Sequence, residues 1–387
     1  MNELFISLRR RGHPIDVRAE DVPDCGPLDI LHEMSVEHSG QYAPEIMDGI
    51  AFCAVADQTK GCMVAALELA TSTVKWETPT GDWMAVSPIP VGDIVIVGTD
   101  LGRVYCLRQS DGRIVWLHED PEFKDVSASG IWSLAVCGSR VLAGTIDGDL
   151  YCLDTSTGNL CWKLDHPGGS AGMACANPVI WHDSVLFCPT EDTLFCLGMD
   201  SGQERWRLRL PGGAIDDHMN QLLIGDLLYV PSYTGGVFAI DLTTHQLVWK
   251  VEEGEYVRTP IALGRTLYYP DDDDGSLYGV SLRPAGTPSP EPFIRLRTGH
   301  REPWELPDIS IHKGRLYYPA GKWLYVLEPS PVDGVPTECR IRKYSAPEPF
   351  ATGLAHDGDL FCAATTTNKF VIGRLPDSSP PDESHSR

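Results

Sequence analysis

Asp216-Asp217-His218-Met219-Asn220 is the densest run of ionisable and amide side chains in this chain. Imidazole titrates near neutrality, so His218 beside Asp217 can act as a general base held by a carboxylate. It can equally be a metal ligand, or a surface histidine among acids. Arg258 can anchor a carboxylate or phosphate through paired N–H donors. Its other reading is an ion pair with Glu305 or Asp308. Tyr42, Trp83, Trp132, Tyr256, Trp304 and Phe350 can wall an apolar pocket, or pack between structural elements. Asn220 and Asp308 add polar contacts for a bound substrate.

Other chemical motifs fail on spacing. Asp271 to Asp274 followed by Gly275 resembles a calcium loop, but an EF-hand register starting at Pro270 places Ser281 where a glutamate is needed. It reads as a solvated hairpin turn. There is no Gly-rich phosphate loop after a strand, no nucleophile elbow, no His-Glu-x-x-His and no CxxC pair. No metal and no cofactor are expected.

The elements that position these residues come from a repeat. Gly92-Asp93 opens a unit that runs through Gly98-Thr99, Gly102, Tyr105-Cys106-Leu107 and Gly112 to Trp116. Gly138-Ser139 opens the same unit again, ending at Trp162. Each copy reads as strand, tight turn, strand, turn, strand. The tryptophan recurs at Trp76, Trp116, Trp162, Trp206 and Trp249, at intervals of 40 to 46 residues. That is the length of a four-stranded propeller blade. Units without the tryptophan follow from Gly264, Gly314 and Gly358, and an earlier one starts at Asp48-Gly49, which makes eight. The expected fold is all-β: an eight-bladed β-propeller of four-stranded antiparallel blades.

Its expected organisation has four parts. Residues 1–11, with the apolar run Leu4 to Leu8, supply an N-terminal strand that closes the last blade and leaves no open edge there. Residues 12–38 fit no repeat and cap one face. Residues 39–375 form the propeller, and residues 376–387 are a polar, disordered tail.

The pattern Gly-x-Val-Tyr-x-Leu-Asp-x-x-Thr-Gly-x-x-x-Trp resembles the PQQ-like (pyrroloquinoline quinone) repeat. That family includes quinoprotein alcohol dehydrogenases and an outer-membrane assembly lipoprotein, so the resemblance speaks to fold far more than to function. It implies that the first strand of each blade lines a central channel. The residues ahead of those strands vary while the repeat stays apolar, which places a site at the channel mouth. His218, Asp217, Glu305 and Arg258 are its expected catalytic groups. The six aromatic residues, Asn220 and Asp308 are its expected substrate contacts.

Bulk properties narrow the partners. The net charge is -23, from 54 acidic and 31 basic residues, which disfavours nucleic acid and anionic membranes. The first residues lack the charged-then-apolar order of a secretory peptide and no apolar run reaches spanning length, so a cytoplasmic protein is expected. Of twelve cysteines, Cys106, Cys152 and Cys196 share one slot of the repeat and Cys53, Cys188 and Cys362 another, which reads as packing.

Three functions remain open. One is a cofactor-independent cyclase, lyase or isomerase acting on a small molecule in the funnel. The second is a non-catalytic scaffold or binding module. The third, a PQQ-dependent dehydrogenase, is disfavoured because those relatives are exported and carry an adjacent Cys-Cys pair.

Overall fold

A repeat unit alternates short apolar runs with glycine turns, and it folds accordingly. Residues 131–164 form four antiparallel strands, Ile131–Cys137, Arg140–Thr145, Leu150–Asp154 and Leu160–Leu164. Gly138, Gly148 and Gly158 at their turns have φ of +55°, +88° and +71°, the left-handed region that glycine enters without strain. Asp154 Oδ1 accepts the backbone N–H groups of Ser156 and Thr157, each at 3.0 Å, and fixes the last turn.

The computed structural model describes residues 3–8, 14–36, 38–39, 42–57, 61–84, 86–119, 130–165, 176–190, 192–210, 220–232, 235–273, 275–283, 290–300, 308–332 and 334–376. Eight sheets are built on the spans 45–79, 89–118, 131–164, 179–209, 222–251, 261–297, 310–345 and 355–374, blades one to eight. They form an eight-bladed β-propeller. Among the described residues the only helical element is a 3-10 turn at Ala19–Asp21, and no helix is long and apolar enough to cross a membrane.

The core is divided among eight buried clusters, each shared by two neighbouring blades. Phe52 and Val95 meet between blades one and two, and Leu186 and Leu228 between four and five. The series returns to its start, because Cys362 and Ile372 of blade eight pack with Cys53 and Met63 of blade one. The repeated cysteines are buried in these strands, as their recurrence implies.

The repeated tryptophan is a link between blades. Trp76, Trp116 and Trp162 each donate their indole N–H at 2.8 Å to a carbonyl of the next blade, on Gln109, Thr155 and Met199. Gly112, Gly158 and Gly202 of that next blade lie under the rings, and a Cβ there would sit about 2.5–2.6 Å from ring atoms. In blade five His245 takes this turn position with φ +56° and stacks on Trp206, centroids 4.4 Å apart.

The N-terminal chain supplies four strands: β1 (Leu4–Ser7), β2 (Ile15–Arg18), β3 (Asp24–Pro27) and β4 (Asp29–Ser35). The ring closes on an N-terminal strand, but the strand is β4 and not Leu4 to Leu8. β4 pairs antiparallel with Lys369–Arg374 along its length, from Ser35 opposite Lys369 to Asp29 opposite Arg374. It is long enough to match that strand, and it places Glu33 3.0 Å from Lys369. β1 has four residues and pairs instead with Glu338 to Ile341 on the outer edge of blade seven. The segment expected to cap a face also runs along the rim: β2 extends blade six in parallel and β3 extends blade seven. Val17, Val22 and Leu28 are buried there, so apolar contact holds it to the edge.

Candidate functional site

The innermost strand has three residues in every blade but the third, where Ile131–Cys137 has seven, and residues at its start or just ahead of it converge from several blades. A cavity of about 180 Å³ lies there, lined by residues from blades one to seven. It brings together five expected site residues: Tyr42, Trp132, Asn220, Arg258 and Asp308. Glu45, Ser87 and Asn177 also line it and were not among the expected contacts. His218, Asp217, Glu305 and Trp304 lie outside the described residues.

Three expected aromatic residues are elsewhere. Phe350 is buried in the cluster between blades seven and eight, and so is a packing residue. Tyr256 packs against the cluster between blades four and five. Trp83 is 50% exposed and does not line the cavity. All three precede an innermost strand in sequence, yet none of them lines the cavity.

Neighbouring blades are stitched together around the cavity. Asn177 Oδ1 accepts the backbone N–H of Leu134 at 2.9 Å, and Asn220 Oδ1 accepts that of Asn177 at 3.2 Å. Ser87 Oγ donates to the Ala43 carbonyl at 3.0 Å. One end of Asn220 is thereby committed to the frame. Ala43, Ser87, Asn177, Asn220, Thr259, Asp308 and Gly353 all stand two residues before the first residue of an innermost strand. Gly353 fits because a Cβ there would come within 2.8 Å of the Asp308 Cβ.

Arg258 is the one arginine or lysine lining the cavity among the described residues. Its Nε is ion-paired to Asp272 Oδ2, with side chains 11% and 16% exposed. Among the described residues its ion-pair partner is a residue of the four-aspartate turn and not Asp308; Glu305 lies outside the described residues. That turn is therefore not simply solvated. Asp272 donates its backbone N–H to the Tyr256 carbonyl, and Asp271 Oδ2 and Oδ1 accept the N–H groups of Glu255 and Asp273. Runs of aspartate look hydrated in sequence; here backbone pairing folds two of them inward.

The cavity holds more acid than base. Burial pushes the Asp308 carboxyl up to about 6; the Arg258 charge pulls it down and Asp272 opposes that pull. Glu45 is reached by solvent along the channel yet surrounded by its walls, and that confinement, with Asp308 nearby, raises its carboxyl to about 7. Asp271 is raised to about 6 by burial, against the two N–H groups that favour its charge. Such groups exchange protons near neutral pH.

Pyrroloquinoline quinone does not fit these residues. It is a tricyclic tricarboxylate, the cavity is small, and the one arginine that lines it among the described residues is already paired beside Glu45 and Asp308. Among the described residues no cluster of histidine, cysteine, aspartate or glutamate is arranged to hold a metal ion.

A family model described as outer membrane protein assembly factor BamB matches residues 37–251. No curated protein sequence matches the chain. BamB from Moraxella catarrhalis is similar in structure, with a TM-score of 0.68 at 15% identity, over 90% of this chain and 100% of that one. A computationally designed protein, Ika8, gives 0.67 at 15% identity over the same shares. Quinohemoprotein alcohol dehydrogenase from Comamonas testosteroni gives 0.65 at 11% identity, over 91% of this chain and 78% of that chain. An assembly factor, a designed protein and an enzyme match almost equally, so these likenesses speak to fold alone.

Proposed function

This chain belongs to the family described as outer membrane protein assembly factor BamB, and from that premise we propose that it is a protein-binding scaffold that engages its partner at the outer rim of the ring. The observation that carries this reading is where the exposed apolar residues lie. Val74, Ile114, Val115, Leu117, Leu160 and Leu247 are each 40–50% exposed, and all are on the outermost strands of blades one, two, three and five. Ile114, Val115 and Leu117 lie together on one strand, and a contiguous exposed apolar patch marks a contact site. The axial cavity, at about 180 Å³, is below the roughly 300–1,000 Å³ of pockets that enclose small ligands.

The test is photo-crosslinking in cells that make the protein. A crosslinker is placed at Ile114, Val74 or Leu160 on the rim, and at Tyr42 or Trp132 in the cavity. The scaffold reading expects a protein adduct from rim positions only. Adducts from cavity positions alone would overturn it.

A second reading rests on Glu45 and Asp308. Carboxyls near 7 and 6 in one cavity suit proton transfer on a small substrate, the cyclase, lyase or isomerase chemistry expected from sequence. Arg258, already paired to Asp272, would then orient these acids. Loss of turnover of a candidate substrate in Glu45→Gln, with the fold intact, supports this reading, and unchanged turnover removes it.

A further inference from the structure

We propose that the outer strand of blade two, Ile114–His118, accepts an extended segment of a partner protein by strand addition, the segment being apolar at alternate positions with lysine or arginine between them. This rests on the scaffold reading and names its site and mode.

The ring itself shows that its outer edges take added strands. β1 adds antiparallel to blade seven, with Leu4 opposite Ile341 and Ser7 opposite Glu338. β2 adds in parallel to blade six, with Ile15 opposite Ile294 and Arg18 opposite Arg297. Among the described residues, blades one to five carry no added strand on their outer edges. An uncovered edge presents unpaired N–H and C=O groups to any extended chain, and proteins guard such edges with charged side chains.

The guard is visible in this repeat. In blades three to six, one outer-strand residue pairs with an aromatic of the neighbouring strand, and it is always a cation. Lys163 lies 5.0 Å over the Tyr151 ring, Arg207 4.7 Å over Phe195, Lys250 5.3 Å over Phe238 and Arg295 5.0 Å over Tyr278; where β2 does cover the blade six edge, it sets Asp16 opposite Arg295 and so answers the cation with an acid. Blade one has Glu77 in the same slot, opposite Ala65. Blade two alone has no charged residue in the slot: Leu117 stands opposite Tyr105. Ile114, Val115 and Leu117 are 50%, 48% and 43% exposed, and no lysine, arginine, aspartate or glutamate interrupts the strand. Trp116 and His118 point to blade three, where they bond the Thr155 and Gly158 carbonyls. Among the described residues the blade two edge is thus apolar, uncovered and unguarded.

Charge selects the occupant. The chain carries -23, which attracts a basic segment and repels a second copy of itself. Apolar residues of that segment would lie on Val115 and Leu117.

The test uses the full chain and a fluorescent decapeptide of alternating valine and lysine, beside the same peptide N-methylated at alternate amides. The expected result is saturable binding by anisotropy, with slower hydrogen exchange at Val115 and Leu117. Leu117→Lys, which restores the guard, weakens binding about tenfold or more. Leu160→Lys, on blade three, leaves it unchanged. The N-methylated peptide, which keeps charge and side chains, binds at least about tenfold more weakly. Equal binding by Leu117→Lys, equal binding of the methylated peptide, or no binding by the unaltered chain overturns the proposal. So does a doubled mass in sedimentation that Leu117→Lys abolishes, because a second copy then fills the edge. Rim crosslinks that persist in Leu117→Lys keep the scaffold reading and reject this edge; loss of every rim crosslink from the unaltered chain rejects the scaffold reading itself.

Discussion

Trp116 of blade two donates its indole N–H to the Thr155 carbonyl of blade three at 2.8 Å, and its ring covers Gly158 of the same turn. The turn glycine is therefore required for two separate reasons. Its φ is +71°, and a Cβ would lie 2.6 Å from the ring. Gly138 has φ +55° and open space around it. Gly158→Ala should cost about 1–3 kcal/mol more than Gly138→Ala, the excess being overpacking against the indole. Urea unfolding of both variants measures it. Equal losses would mean that the indole does not hold the blades together.

Arg258 and Asp272 form a nearly enclosed ion pair. Removing one member leaves the other charge stranded in the channel wall. Arg258→Met should destabilise by about 3–5 kcal/mol, and adding Asp272→Asn should recover much of that loss. A double-mutant cycle by urea unfolding at pH 8 reads the coupling. Additive losses would show that the two residues act separately.

The raised carboxyls of Glu45, Asp308 and Asp271 set a pH dependence with a definite sign. Their native values of about 7, 6 and 6 lie above the values of an unfolded chain, so the native state holds more protons across that window. Their contribution to stability is present at low pH and is lost as pH rises through about 6 to 7. Other carboxyls, such as Asp183 beside Arg205, are lowered and act oppositely. The comparison must therefore be with a variant. Relative to the unaltered chain, Glu45→Gln should gain thermal stability between pH 5 and pH 8. A constant difference across that range would show that Glu45 keeps an ordinary value.

Truncation separates the two N-terminal roles. Removing residues 1–8 strips β1 and Leu8 from the edge of blade seven and should lower the melting temperature modestly. Removing residues 1–36 takes the outer strand from blade eight and should abolish cooperative melting by calorimetry, because the cluster shared with blade one loses Met34 and Val36. Similar melting of both truncations would assign closure to some other contact.

Much of this was legible in the sequence, and the reason is physical. The tryptophan spacing is visible because each blade uses the same indole to grip its neighbour. Arg258, Asp308, Tyr42, Trp132 and Asn220 stood out because the repeat constrains apolar slots and leaves the residues ahead of the innermost strands free to vary. Glu45 was missed because it begins a strand and sits at no motif. Asp272 was missed because four aspartates in a row read as a hydrated turn. The closing strand was misplaced for a similar reason: β1 and β4 both offer apolar residues, and only pairing length and the ion pairs of Glu33 and Asp29 with Lys369 and Arg374 decide between them. The guard slot was readable all along, as a lysine or arginine one residue after the tryptophan in three successive repeats, broken by Leu117.

The strand that closes the ring also sets a timetable. β4 leaves the ribosome long before its partner Lys369–Arg374, with seven blades synthesised between them. At about 5–20 residues per second, the wait between them is tens of seconds. Through that interval seven blades can stack in order while β4 has no partner and the arc has two raw ends. Any helper that shields a nascent chain has its clearest task here, and a ribosome stalled before residue 369 would hold an arc that cannot become a ring.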